Sequence, residues 1–155
     1  HLNKKVYELK DADVNVRFIG SRDKLSKNLI KSIKLIEDST RECTGLQINV
    51  AVDYGGRDEI VKIIKEIATD IKSDCLDLSD IDENLLDQKS VLAHCGQPDL
   101  ILRTGGEKRL SNFLLWHSAY SELSFVDIKW PDFTAENLIE QVEAFKKRDR
   151  KYGDL

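Results

Sequence analysis

The sequence predicts an α/β fold in which a central, mostly parallel sheet is flanked by helices. Short runs rich in β-branched residues alternate along the chain with amphipathic stretches of helical length. Two Gly-Gly pairs, at positions 55–56 and 105–106, each follow such an apolar run. Because ligands bind beyond the carboxyl ends of the strands in sheets of this kind, both pairs mark places where a binding site is expected.

The first half of the chain is predicted to alternate helices with strands. Leu29, Ile30, Ile33 and Ile36 recur at helical spacing, and Ser26 precedes them as a helix N-cap. The apolar run that follows is nearly continuous, as in a strand buried on both faces. The predicted elements are the end of a helix at residues 1–10, a strand at Asn15–Ile19, a helix from Leu25 to Glu42, a strand at Leu46–Tyr54, a turn at Gly55–Arg57 and a helix from Asp58 to Ile71.

The second half begins with an acidic stretch. Residues 70–87 hold seven acidic side chains against Lys72 alone, which is typical of a solvated surface. Asp80 is expected to cap a short helix that runs to Leu86. The later predicted elements are strands at Leu100–Leu102 and Leu123–Ile128, a helix that starts near Asn112 and includes Phe113–Trp116, and a helix from Thr134 to Tyr152 with Gly153 as its C-cap.

Polar side chains gather around the second Gly-Gly pair. Arg103 ends the preceding strand, and the glycines permit positive φ and a close approach of backbone amides to an anion. Arg109 and Ser111 follow, with Ser111 at the expected start of a helix, whose free N–H groups favour anions. A planar guanidinium binds two phosphate oxygens at once. These residues predict an anion site, and the alternative is a structural turn whose arginines pair with Glu107.

Glu122 and the segment Tyr54–Arg57 leave a functional and a structural interpretation open, whereas His94 and His117 favour a structural one. Glu122 either forms a salt bridge with an arginine of the anion site or helps to bind Mg²⁺ on a bound phosphate. The segment Tyr54–Arg57 is either a second anion site or a plain strand-to-helix turn. His94 and His117 are interpreted as packing or surface histidines, since no order of Ser, His and Asp accompanies them.

Composition excludes several classes of function. A net charge of −4 gives no general attraction to nucleic acid or anionic lipid, and no apolar run approaches the ~20 residues of a membrane span. Three cysteines without a CxxC pair favour free thiols in a reducing compartment, so a cytoplasmic protein is expected. Methionine is absent and the first residues read as a helix already under way. We therefore expect the chain to be the C-terminal part of a longer polypeptide.

The segment Asp99–Phe133 closely resembles the signature region of the cis-prenyltransferases, specifically the bacterial undecaprenyl diphosphate synthases. The matching stretches are RTGGEKRLSNFLLW, AYSEL and WPDF. VRFIG at 16–20 and TGLQINVAVDYGGRDEI at 44–60 support the resemblance, which extends over essentially the whole chain. Residues 1–155 are accordingly expected to form the C-terminal part of a single domain of this type, an incomplete version of that fold.

The resemblance implies an enzyme that adds isopentenyl diphosphate to a farnesyl-type allylic diphosphate, uses Mg²⁺ and makes an undecaprenyl-type product for a cell-wall lipid carrier. It further implies a homodimer with no nucleic-acid partner and with membrane contact that is peripheral at most. The residues of this chain that it assigns to substrate binding are Arg103, Arg109, Leu110, Ser111 and Gly153, and the residue that it assigns to metal binding is Glu122.

The chain departs from the family pattern in ways that leave an alternative open. The family's MDGN-type segment, whose Asp binds the metal and the allylic diphosphate, is not in this sequence. Asp53 and His117 stand where Asn and Gln are commoner, and Lys151 replaces the arginine of the Arg-x-Gly ending. A polypeptide of this extent alone is expected to be inactive. The alternative function is a non-catalytic subunit that lacks the allylic site and supports an active partner, and an unrelated phosphate-binding α/β module is a third possibility.

Overall fold

The computed structural model of the chain describes residues 2–149, and these alternate helices with strands as predicted. The chain divides into two compact units, one up to Glu59 and one from Ile60 onward. The elements are α1 (Leu2–Asp11), β1 (Asn15–Ile19), α2 (Lys27–Thr40), β2 (Gln47–Ala51), α3 (Gly56–Lys72), α4 (Glu83–Lys89), β3 (Leu100–Arg103), β4 (Glu122–Phe125) and α5 (Ala135–Lys146), with short 3₁₀ turns at Leu78–Asp80 and Trp130–Asp132.

In the first unit, β1 and β2 form a parallel pair whose register runs from Asn15 opposite Gln47 to Ile19 opposite Ala51. The crossover between them is α2, which Ser26 caps by accepting a hydrogen bond from the amide of Leu29. Ile33 is 1% exposed and anchors α2 in the core of this unit. The strand β1 and the Ser26 cap confirm the sequence prediction. The expectation that the second strand is buried on both faces is wrong, because Ile48 remains 37% exposed.

The edge of β1 that does not face β2 is covered by side chains of α2. The amide of Val16 donates to Oγ1 of Thr40 at 3.1 Å, and the amide of Phe18 donates to Oε1 of Glu37 at 3.0 Å. Thr40 is fully buried, and its hydroxyl in turn donates to the carbonyl of Ile36. Arg22 donates to both carboxylate oxygens of Glu37 and holds that acceptor in place. Two of the strand's amides are thus satisfied by helix side chains.

The carboxyl ends of β1 and β2 require unusual backbone conformations. Gly20 has a φ of +110°, and a Cβ there would lie 2.2 Å from the carbonyl oxygen of Val52, so only glycine fits. Asp53 has a φ of +47°, a left-handed conformation that Asp and Asn tolerate better than most residues. The predicted turn at Gly55–Arg57 is wrong in extent, because α3 already begins at Gly56.

In the second unit, β3 and β4 form another parallel pair, with Leu100 opposite Glu122 and Arg103 opposite Phe125. Parallel strands flanked by helices in each unit confirm the predicted fold class. Nothing in this arrangement tests whether the whole chain belongs to a single domain, so that expectation stays a prediction. Within residues 2–149, no helix is both long and apolar enough to cross a bilayer.

Two helices in this unit have boundaries that differ from the predictions, and a third predicted helix does not form. The short helix α4 is capped by Asp82, which accepts from the amide of Leu85 at 2.8 Å. Asp80 instead ends the preceding 3₁₀ turn, where its Oδ2 accepts from the amide of Asp77 at 3.0 Å. Thr134 caps α5 as expected, but the helix ends at Lys146. The predicted C-cap Gly153 lies outside the described residues. The helix expected from Asn112 is absent from the structure, which shows consecutive turns over residues 111–120.

Candidate functional site

The Gly-Gly pair at 105–106 follows β3 and is hydrogen-bonded to the segment that follows β4. Both glycines have positive φ, +88° and +78°. Their amides donate to the carbonyls of Ile128 and Val126, each at 2.9 Å. A Cβ on Gly106 would lie 3.0 Å from Oδ1 of Asp127, so that side chain packs directly against the turn. Positive φ was predicted correctly, but these two amides are engaged within the chain and form no anion site themselves.

Arg103 occupies the carboxyl end of β3, as predicted, and reaches across to the chain beyond the glycines. Its Nη1 donates to Oγ of Ser111 at 2.8 Å and also to the backbone carbonyl of Arg109. Both contacts use the same nitrogen. Arg103 and Ser111 therefore lie together, as the sequence suggested. A hydrogen bond from the guanidinium brings them together, and no helix begins at Ser111.

The segment after Arg109 follows a strained path. Ser111, Asn112 and Leu114 have φ values of +50°, +66° and +45°. Left-handed backbone at a residue other than glycine costs roughly 1–3 kcal/mol and persists only where surrounding contacts impose it. Leu114 is buried, and Nε1 of Trp116 donates to Oδ1 of Asp87 at 2.7 Å. These contacts explain why an apolar run that favours a helix forms turns in this protein.

Arg109 and Leu110 lie in the exposed loop between the glycines and Ser111. The guanidinium of Arg109 forms an ion pair with Glu107, and both side chains are at least half exposed. The pairing that the structural alternative anticipated is therefore present. The carbonyl of Leu110 accepts from the amide of Phe113 at 3.0 Å. An exposed ion pair is weak in water, so it leaves the guanidinium accessible to a stronger anionic ligand.

Glu122 lies at the opposite end of the strand pair from Arg103. It opens β4 opposite Leu100, so the backbones of Glu122 and Arg103 are separated by roughly 10 Å along the strands at ~3.3 Å per residue. Its Oε2 accepts from Nη1 of Arg148 at 2.7 Å. The salt bridge that one interpretation expected does form, but its partner is an arginine outside the predicted anion site.

The described residues fit Mg²⁺ only in a limited sense. No group of three or more His, Cys, Asp or Glu side chains that could hold a metal ion occurs in the part of the chain that the structure covers. Glu122 offers a carboxylate, which is the kind of donor that Mg²⁺ prefers. It could serve as one ligand where diphosphate oxygens and water complete the coordination. Gly153, the remaining predicted substrate-binding residue, lies outside residues 2–149.

Asp127 and Arg148 are neighbours of these residues that the sequence analysis did not single out. Asp127 follows β4 closely, and its position near the carboxyl end of a strand was a usable signal. Arg148 contacts Glu122 across 26 residues of sequence, and no local pattern indicated that contact. His117 is 1% exposed, which supports its interpretation as a packing residue, and it lines a small cavity of about 190 Å³ beside Asp87 and Gln97.

Comparison with known proteins identifies the family. The family model described as "Putative undecaprenyl diphosphate synthase" matches residues 1–153. The chain belongs to this prenyltransferase family. The sequence resemblance stated above is thereby confirmed. The chain is 41% identical over 153 residues to an isoprenyl transferase of Aquifex aeolicus, and the match covers 99% of this chain and 64% of that protein.

Other proteins similar to this chain carry names that specify different products. One relative, 45% identical over 140 residues, is a tritrans,polycis-undecaprenyl-diphosphate synthase (geranylgeranyl-diphosphate specific) from Methanopyrus kandleri, and the match covers 90% of this chain and 52% of that protein. Among solved structures, lavandulyl diphosphate synthase from Lavandula x intermedia in complex with dimethylallyl diphosphate matches with a TM-score of 0.94 and 32% identity. That match covers 99% of this chain and 66% of the lavandulyl synthase. The chain thus spans less than two thirds of the length of the Aquifex aeolicus and Methanopyrus kandleri relatives.

Proposed function

We propose that this chain is part of a cis-prenyltransferase that condenses isopentenyl diphosphate with an allylic diphosphate. The observation that carries the proposal is the contact of Arg103 with Ser111 at the carboxyl end of the parallel strand β3. A guanidinium forms charge-assisted, often bidentate hydrogen bonds to phosphate oxygens, and a hydroxyl can donate a further hydrogen bond. Sequence similarity across essentially the whole chain to isoprenyl transferases supports the reaction class.

In this reaction the allylic C–O bond breaks, a C–C bond forms to the isopentenyl unit, and diphosphate and a proton leave. We assign Arg103, Arg109, Leu110 and Ser111 to the diphosphate of the isopentenyl substrate, which is retained in the product. These side chains would orient the nucleophilic double bond by anchoring its charged end. Bound Mg²⁺ would supply charge neutralisation for the diphosphates, and Glu122 is the residue of this chain that we assign to it.

The finer features of the proposal follow from the family. They are a farnesyl-type allylic substrate, an undecaprenyl-type product for a cell-wall lipid carrier, a homodimer in the cytoplasm, and Gly153 as a further substrate contact. The names of the relatives given above range from undecaprenyl to lavandulyl diphosphate synthases, so product length is the feature that most needs measurement.

The proposal is tested with radiolabelled isopentenyl diphosphate and farnesyl diphosphate on the full-length protein. Formation of labelled, solvent-extractable polyprenyl diphosphate supports it, and mass spectrometry of the product gives the chain length. The Arg103→Ala variant should lose most of this turnover, whereas Arg41→Ala should not, because Arg41 forms an exposed ion pair with Asp38 in the first unit. Turnover that is absent from the full-length wild-type protein but restored by adding a second family member would instead establish the non-catalytic subunit.

A further inference from the structure

The contacts of Arg103 suggest that this side chain has two tasks. Nη1 makes both of its hydrogen bonds, to Oγ of Ser111 and to the carbonyl of Arg109. No other hydrogen bond links its guanidinium to a residue within 2–149, so the donors on Nη2 and Nε remain for a ligand. We propose that Arg103 is a positioning residue for Ser111 and the turn that carries it, in addition to contacting the diphosphate. This inference rests on the proposed function.

The direction of the hydrogen bond determines what Ser111 can offer. A serine hydroxyl has one hydrogen to donate and two lone pairs that accept. Because Oγ of Ser111 accepts from Arg103, its hydrogen is free to be donated elsewhere. A fully ionised diphosphate has only acceptors. The pair of side chains therefore offers the remaining guanidinium donors and the hydroxyl hydrogen to an anion, while one of the two lone pairs on Oγ is already occupied by Arg103.

The backbone around Ser111 explains why such support is needed. Ser111 and Asn112 are consecutive left-handed residues, a conformation that an isolated chain leaves readily. Arg103 bonds to the carbonyl just before this turn and to the hydroxyl at its start, so it bridges the place where the chain changes direction. A lysine would keep the charge but would lack the planar fork that directs one nitrogen to two acceptors and others to a ligand.

A double-mutant cycle on the full-length protein tests this positioning role. Binding of inorganic pyrophosphate with Mg²⁺ is measured by calorimetry in Arg103→Lys, Ser111→Ala and the double variant, with Arg41→Lys as the matched control. We expect Ser111→Ala alone to weaken binding roughly tenfold, as loss of a hydrogen bond to a charged group does. In the Arg103→Lys background the same change should have an effect below about twofold, since the hydroxyl is no longer held in place. Independent, multiplicative effects of the two substitutions would overturn the proposal.

Some variants could bind pyrophosphate too weakly for calorimetry, so the test includes amide hydrogen exchange measured without ligand. The amide of Phe113 donates to the carbonyl of Leu110 inside the turn, at 3.0 Å. Its hydrogen exchange should accelerate in Arg103→Lys and in Ser111→Ala but not in Arg41→Lys, and unchanged exchange in both would refute the positioning role. Wild-type protein that binds no pyrophosphate would refute the proposed function, while the exchange comparison would still decide the role of Arg103.

Discussion

Nη1 of Arg148 bridges Oε2 of Glu122, at 2.7 Å, and the carbonyl of Leu123, at 3.1 Å. This double contact attaches the chain that follows α5 to the start of β4. Both side chains are about one third exposed, so the ion pair is partly shielded from solvent. A carboxylate oxygen that accepts from a guanidinium is less available to a metal ion, and the two uses of Glu122 therefore compete.

The first prediction follows from this competition. Arg148→Gln should lower the Mg²⁺ concentration at which pyrophosphate binding is half-maximal, because it frees Oε2 of Glu122. Glu122→Gln should raise that concentration, because a ligand is lost. Calorimetric titrations of pyrophosphate at a series of Mg²⁺ concentrations measure both effects. Lys146→Gln is the control, since Lys146 pairs with Glu143 on the surface of α5. An unaltered Mg²⁺ requirement in both variants would remove Glu122 from the metal site.

The second prediction concerns the ion pair between Glu107 and Arg109. Glu107→Gln should strengthen pyrophosphate binding by about two- to fivefold, because a surface ion pair of up to ~1 kcal/mol no longer competes for the guanidinium. The dissociation constant is measured without Mg²⁺ and again with it. Glu143→Gln serves as a control for the loss of one negative charge elsewhere in the same unit. Weaker binding only in the presence of Mg²⁺ would show that Glu107 ligates the metal instead.

The third prediction separates backbone strain from side-chain contact at three glycines. Gly96, Gly105 and Gly106 all have positive φ, but only at Gly106 would an added Cβ have a neighbour, Asp127, within 4 Å. Alanine at Gly96 or Gly105 should each lower the free energy of unfolding by about 1 kcal/mol, and alanine at Gly106 by more. Chemical denaturation measures these losses. Pyrophosphate affinity should fall in the alanine variants of Gly105 and Gly106 and not in that of Gly96. An equal loss of affinity in all three variants would show that the turn at 105–106 has no special role.

The fourth prediction concerns pH. Nζ of Lys89 donates to Oδ2 of Asp70 at 2.6 Å, and this hydrogen bond raises the pKa of Lys89 above its ordinary value. A raised pKa in the folded state means that the contact stabilises the protein below the unfolded-state pKa of about 10.4 and that this stabilisation disappears as the pH rises through the folded-state value. Asp70→Asn should therefore reduce stability at neutral pH and converge with the wild type at strongly alkaline pH.

Urea denaturation between neutral and alkaline pH measures that convergence. Asp38→Asn is the matched control, because its partner Arg41 remains charged throughout and any stability difference should persist. If the stability difference between Asp70→Asn and the wild type does not shrink at high pH, the ion pair with Lys89 is not its source.

Local patterns predicted the regular elements well. The strand Asn15–Ile19 and the cap at Ser26 follow from alternation and side-chain chemistry within a few residues, and the structure reproduces both. The same holds for Arg103 at the end of its strand and for positive φ at the glycines that follow. These features depend on short-range sterics and on burial, which a sequence displays directly.

Long-range contacts account for the failures. The run Phe113–Trp116 has helical propensity, but the bond from Trp116 to Asp87 spans 29 residues and Arg103 holds the start of the segment. The salt-bridge partner of Glu122 was predicted wrongly for a related reason. Closeness in sequence to Arg109 suggested closeness in space, whereas parallel pairing puts Glu122 at the amino end of the sheet, where Arg148 meets it.

The side chains of Thr40 and Glu37 on the edge of β1 bear on how the protein behaves in a crowded solution. An edge strand with unused amides is a template for pairing with another molecule, and sheets joined in this way aggregate. Here the amides of Val16 and Phe18 are already engaged by α2, one of them through a fully buried hydroxyl. Helix α2 thus protects β1 from intermolecular strand addition on that side, and substitutions at Thr40 would show their harm first as lost solubility.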